Sequence, residues 1–269
     1  WFALAMGFAA LLVPIHERGR EAATEYLTGY LIELSLSMDN VFVIALIFSY
    51  FRVPSEQQHR VLFWGILGAL LMRGVLIGAG AALINAFHGI LYAFGAFLVY
   101  SGVKMIFTDA EGVHPDKNPV IRLARKLYPV SPEFEGQRFT TRLNGKMALT
   151  PLAIVLLMVE TTDLVFALDS IPAIFGITSD PFIVFTSNVF AILGLRSLYF
   201  VLAGAIQYFK FLKIGLSIVL VFIGVKMLIE FWEWKIKTSV SLIIVAGILA
   251  LSVILSIIAA RFEARRATK

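Results

Sequence analysis

The chain has 269 residues, of which 59% are hydrophobic and only 15% charged, with a mean hydropathy of +0.86, a net charge of +5 and no cysteine. An ordinary soluble domain is excluded, because its charged share is nearer a quarter (about 25%) and its apolar share lower. A disulfide framework and thiolate metal ligation are excluded with the cysteines, and what is left is a polytopic membrane protein.

Apolar runs of about 20 residues, enough to cross roughly 30 Å of hydrocarbon, recur along the chain. About eight spans are predicted on this criterion, at 1–13, 29–50, 61–85, 87–107, 147–171, 181–207, 211–232 and 238–260. Position 1 is Trp rather than Met, so the first run is expected to be truncated, and no targeting segment is judged from it. The third and fourth runs are divided only by Asn85, His88 and Gly89. Between the fourth and fifth lies a polar segment, 108–146, with Pro115, Pro119, Pro129 and Pro132. Within it IRLARKLY, Ile121 to Tyr128, reads equally as a short basic amphipathic helix on the membrane surface and as a solvated linker.

Basic residues sort by side under this count. Arg52, Arg60, Lys117, Arg122, Arg125, Lys126, Arg138, Arg142, Lys146, Lys210, Lys213, Arg261, Arg265, Arg266 and Lys269 fall on one side, against Arg18, Arg20, Lys235 and Lys237 on the other. The positive-inside rule makes the rich side cytoplasmic, with both termini and the long loop. The pI near 9.5 is then a sign of topology in an inner (plasma) membrane rather than of a nucleic-acid partner.

The chain also repeats itself. LMRGVLIGAGAAL at 71–83 resembles GLRSLYFVLAGAI at 194–206, and FLVYSGVKMIF at 97–107 resembles VLVFIGVKMLI at 219–229. Laying Asp39 on Asp169 also lays Glu33 on Asp163. Each copy has three spans, an odd number, so consecutive copies enter the membrane in opposite directions, as in many secondary transporters. The expected organisation is a truncated first helix and periplasmic loop (1–28), a first three-helix repeat (29–107), a cytoplasmic loop (108–146), a second three-helix repeat (147–232) and a last helix with a basic tail (233–269): an all-α transmembrane bundle with two repeats of inverted topology.

Two of the spans carry carboxylates, in ELSLSMDN from Glu33 and in ETTDLVFALDSIPA from Glu160. A charged carboxylate at the bilayer centre is unfavourable by about 3 kcal/mol even on lenient scales, and it marks an ion pathway by default. Helical periodicity puts Glu33, Ser37 and Asn40 on one stripe and Glu160, Asp163 and Ser170 on another. Asp39 and Asp169 lie about 100° round from Asn40 and Ser170 and point sideways unless the helix bends. Pro172 offers a bend in the second motif by leaving the Leu168 carbonyl without a donor; Phe42 stands at the matching place in the first. Carboxylates, amide, hydroxyls and carbonyls are hard oxygen ligands suited to Mg2+, Ca2+ or Mn2+. Met38 and Met158 offer a soft thioether, or simply packing.

The stretches FEGQRFTTRLNGK (134–146), TPLAIVLLMVETTDLVFALDSIPAIFGIT (150–178), DPFIVFTSNVFAILGLRSLYF (180–200) and GVKM (224–227), with ELSLSMDN before them, resemble the TerC family of integral membrane proteins. The resemblance covers nearly all of the chain after the first span. It implies a member of a wider cation-exporter superfamily, associated with tellurite resistance by name and with manganese export in bacteria, while related plastid proteins are linked to thylakoid biogenesis. Carried over residue by residue, the metal candidates are Asp39, Asn40, Glu160, Asp163, Asp169 and Ser170, with Glu33 close behind.

Each candidate has a structural competitor. Arg73, Arg196, Lys104 and Lys226 nearly balance the acids within the spans and serve equally as gating or charge-pairing groups, with Glu33 and Glu160 the foremost acids for pairing. Lys104 and Lys226 also sit near helix ends, where lysine snorkels, and Asn188 either caps a kink or lines the path. The expected function is export of Mn2+, carried as substrate between the second and fifth spans, with proton exchange as its drive. The alternative is a membrane scaffold of a metal or tellurite stress-response complex, recruiting partners through 108–146 without transport of its own. An intramembrane enzyme has no motif to support it, and oligomeric state is not encoded legibly.

Overall fold

The computed structural model describes residues 1–269 apart from His88, 108–114, Asn144, 203–210, Glu233, Lys235 and 268–269; at some helical positions, Arg196 and 261–267 among them, the backbone alone is described. Nine α-helices occur among the described residues: α1 Phe2–Ile15, α2 Arg20–Tyr50, α3 Ser55–Ala86, α4 Ile90–Phe107, α5 Pro119–Leu127, α6 Pro151–Phe175, α7 Pro181–Leu202, α8 Leu212–Ile229 and α9 Thr238–Ala267. Seven of them, all but α1 and α5, are long and apolar enough to cross a membrane. The protein is therefore an all-α polytopic membrane bundle. The first predicted run is a 14-residue apolar helix, shorter than a span.

Several boundaries differ from the hydropathy reading, for local chemical reasons. α2 begins at Arg20 rather than 29, because Arg-Glu-Ala-Ala-Thr-Glu-Tyr-Leu is rich in helix formers and Glu21 sits in the positively polarised first turn. Its 31 residues make about 46 Å of helix, longer than the hydrocarbon is thick. The amphipathic stretch IRLARKLY falls on α5, whose N-cap Asn118 accepts from the backbone N–H groups of Val120 and Ile121, with Pro119 just inside the start. The chain then makes a hairpin absent from the sequence reading: β1 Thr140–Leu143 pairs antiparallel with β2 Lys146–Leu149, Thr140 opposite Leu149. Asn144-Gly145 between them is a strong hairpin signal, and Gly145 takes φ +78°. α6 therefore starts at Pro151, not 147, with Thr150 as its cap.

Pro172 does not break α6. It lies in the last turn, and the helix continues to Phe175, with the Gly176 N–H donating to the Pro172 carbonyl. A proline so near the terminus removes one interior hydrogen bond without leaving a second segment to tilt away.

The tightest helix pair is α4 with α8. A Cβ built on Gly224 would stand 2.6 Å from the Gly95 carbonyl oxygen, and one on Gly102 would stand 2.8 Å from that of Ser217. α2 runs between α6, α7 and α9, while α3 packs on α6 and α7. Charged and polar groups close both ends: Arg18 joins Glu25 and Asp180 at one, and Tyr199 donates to Gln58 at the other.

Candidate cation site

The polar stripe of α2 and that of α6 face each other, and between them α3 inserts Arg73. Arg73 is 1% exposed, the largest fully buried side chain among the described residues. Nη1 donates to Glu33 Oε1, to Asn188 Oδ1 at 2.9 Å and to Ser170 Oγ at 3.2 Å. Nη2 and Nε donate to the two oxygens of Asp163 at 3.0 and 3.3 Å. Asn40 Nδ2 adds a bond to Asp163 Oδ1 at 3.1 Å, and the Ser170 hydroxyl lies beside Glu33. Glu33, Asn40, Asp163 and Ser170 thus form one cluster, two residues from each of the three-residue stripes that helical periodicity predicts. Ser170 and Asn188 are 1% exposed, Glu33 not at all.

Three buried atoms of the α2 stripe have no hydrogen-bond partner among the described residues: Glu33 Oε2, Ser37 Oγ and Asn40 Oδ1. An orphaned buried acceptor is unfavourable by about 1–3 kcal/mol. Three in a row at i, i+4 and i+7 leave one side of the cluster short of donors or of a cation.

The remaining candidates stand apart from this cluster. Asp39 interacts with Lys213 of α8, and Asp169 accepts from Ser101 Oγ of α4 at 2.7 Å, with Lys104 also near it. Both point sideways as the straight-helix geometry requires. Glu160 is half-buried against α3, where Gly68 makes its room: a Cβ there would overlap the carboxylate. It meets Asp163 electrostatically and accepts no hydrogen bond among the described residues. Of the two acids foremost for pairing, Glu33 meets an arginine and Glu160 does not; Asp163 takes the other edge of Arg73.

Lys226 is 3% exposed and donates to the Gly176 carbonyl at 3.0 Å, whereas Lys104 is exposed beside the Tyr100 ring. The Arg196 side chain lies outside the described residues. Met38 packs among apolar neighbours, and Met158 meets the Asn118 amide at 3.6 Å. Among the described residues no group of three or more His, Cys, Asp or Glu is arranged to hold a metal; the convergent oxygens come instead from two carboxylates, amides and hydroxyls. Sequence reasoning singled out Asn188 with two open roles, and missed Ser101 and Gly68, whose significance appears only against a neighbouring helix.

A bundle of apolar helices enclosing an arginine, two acids and a shell of amides and hydroxyls is an integral membrane protein with a polar centre. The chain belongs to the TerC family: the model for the "Integral membrane protein TerC family" matches residues 18–268. It is 50% identical to an uncharacterized membrane protein of Myxococcus xanthus, over 97% of this chain and 81% of that one. It is 49% identical, over 87% of this chain and 73% of the other, to an Escherichia coli K12 protein named "Putative membrane-bound redox modulator Alx". A Rickettsia felis membrane protein is 42% identical over 90% of this chain and 80% of its own length. No solved structure matches significantly.

Proposed function

We propose that the protein exports Mn2+ across the membrane, binding the ion between α2 and α6. The observation that carries this reading is the set of orphaned oxygens, Glu33 Oε2, Ser37 Oγ and Asn40 Oδ1, beside the Asp163 carboxylate. They are hard donors from two facing helices, the chemistry that Mn2+, Mg2+ and Ca2+ share. Family membership and the acids within the spans favour an ion path, with Glu160 on the approach and Asp39 and Asp169 flanking it toward α8 and α4.

Alternating access comes in this reading from two three-helix halves, 29–107 and 147–232, rocking against each other. Reciprocal contacts support it. Exchanging the halves maps Gly95 on Gly224 to Ser217 on Gly102, and Asn40 on Asp163 to Ser170 on Glu33. A carboxylate that releases a metal ion can take up a proton in its place, and proton exchange is the proposed drive. The name of the Escherichia coli relative points to redox modulation; these 269 residues hold no cysteine, so a redox role of this chain would not run through its own thiols, and metal supply is the route that fits the proposed transport.

The test is Mn2+ flux into proteoliposomes, comparing wild type with Glu33→Gln, Asn40→Ala, Asp39→Asn and Asp169→Asn. Glu33→Gln and Asn40→Ala are expected to abolish flux, and an imposed proton gradient to accelerate it in the wild type. Unaltered flux in both cage variants rejects the site; indifference to the gradient rejects the coupling.

A further inference from the structure

Arg73 stands where a cation belongs. All five of its acceptors are oxygens, contributed by Glu33 of α2, Asp163 and Ser170 of α6 and Asn188 of α7. Hard oxygens converging from three helices on a buried positive charge is the arrangement a metal ion would require. The arginine does not complete it: three further buried oxygens on the same α2 stripe lack partners among the described residues, and one guanidinium faces two carboxylates.

Arg73 also has somewhere else to go. Glu160 stands three residues before Asp163 on α6, a spacing that puts the two carboxylates on one helix face about one turn apart. The Glu160 carboxylate lies against Gly68 and accepts no hydrogen bond among the described residues. A shift of the guanidinium from Asp163 toward Glu160 follows one face of α6 by about one helical turn.

We propose that Arg73 is a tethered counter-cation that competes with the transported ion for the oxygen cage, with Glu160 as its alternative acceptor, and so selects divalent over monovalent ions. An entering monovalent cation only replaces one positive charge by another. A divalent ion neutralises Glu33 and Asp163 together while the arginine moves to Glu160, so every charge stays paired. The proposal rests on the transport reading for the identity of the ion, and on the cage geometry alone for the competition.

The experiment is Mn2+ binding to the purified full chain, read by electron paramagnetic resonance and by Mn2+-dependent thermal stabilisation, for wild type, Arg73→Gln, Arg73→Lys and Glu160→Gln. Removing an occupant that keeps the cage mostly closed is expected to tighten Mn2+ binding about tenfold in Arg73→Gln, because apparent affinity scales with the open fraction. The same variant should gain stabilisation by Na+, which the wild type lacks. Arg73→Lys, unable to span all five acceptors, should fall between. Glu160→Gln should weaken Mn2+ binding, and adding Arg73→Gln to it should restore binding. Equal or weaker Mn2+ binding in folded Arg73→Gln overturns the proposal. If Arg73→Gln fails to fold alone, Mn2+ present throughout purification should recover it; recovery by Arg73→Lys but not by Mn2+ overturns the proposal equally. Absent Mn2+ flux in the wild type together with tighter binding in Arg73→Gln would remove the transport reading and leave the competition standing. Normal flux with unchanged binding would do the reverse.

Discussion

Glu33 and Asp163 hold the two edges of the same guanidinium, which makes them unequal to the other acids of the spans. Taking one partner from a buried ion pair typically destabilises by about 3–5 kcal/mol, because a charge is left without its partner. Asp163→Asn is therefore expected to lower the thermal unfolding midpoint of the detergent-purified protein markedly. Asp169→Asn should lower it far less, since the amide oxygen still accepts from Ser101. Equal shifts would show that Asp163 is not holding Arg73. A second residue is tested by pH. Asp180 caps α7, accepting from the Phe182 N–H at 3.0 Å, and meets Arg18 at 2.9 Å and His16 at 3.3 Å. Partial burial alone would raise its carboxyl, but hydrogen bonds from Arg18 and from the backbone of Phe182 and Ile183 hold it below the usual 3.8. A depressed folded value contributes stability above the unfolded pKa and loses it as pH falls through the folded one. The unfolding midpoints of wild type and Asp180→Asn should thus differ at neutral pH and converge below pH 3.8; a constant gap would exclude the charge as the source.

At the scale of elements, the α4–α8 contact depends on the absence of side chains. The approach at Gly224 and Gly102 is against backbone, which cannot turn aside. Gly102→Val and Gly224→Val should each force the helices apart and destabilise by about 1–3 kcal/mol, the range for overpacking. Gly78, also in a spanning helix, has nothing within 4 Å of a built Cβ, and Gly78→Ala should be neutral or stabilising in the same melting assay. These packing positions were not readable from sequence, because a glycine in an apolar run looks the same whether it faces lipid or another backbone. The polar stripes were readable: Glu33 with Asn40 and Asp163 with Ser170 return to one face every seven residues, and the same arithmetic turned Asp39 and Asp169 aside. What hydropathy obscured was local. Charged Arg20, Glu21 and Glu25 disguised the first turns of α2, and the Asn144-Gly145 hairpin was absorbed into a loop. Arg73 appeared as one basic landmark among four, since only the packing of α3 on α6 and α7 shows that it enters the cluster while Lys104 stays outside.

For the whole molecule, the contacts at the helix ends fix which loops share a side. Arg18, before α2, touches Asp180, before α7, so four spanning helices, α2, α3, α4 and α6, bring the chain back to the end where it started. The β1–β2 hairpin precedes α6 and Asp180 follows it, which puts them at opposite ends of a 25-residue helix about 38 Å long. The hairpin end carries Arg138, Arg142 and Lys146 together with the basic α5, and the other end has few cations. The positive-inside rule then predicts a cytoplasmic hairpin, the orientation that the proposed export assumes. Because the chain has no cysteine, a single introduced thiol reports its own side without background. Arg142→Cys and Ser179→Cys both replace exposed residues. In intact cells a membrane-impermeant maleimide is expected to label the cysteine at 179 and to reach the one at 142 only after the membrane is opened. The reverse pattern would invert the protein in the membrane. Export in the proposed mechanism runs from the hairpin end, past Glu160 and the Arg73 cage, toward the Arg18–Asp180 end, so that result would overturn its direction while leaving the cage and its arginine untouched.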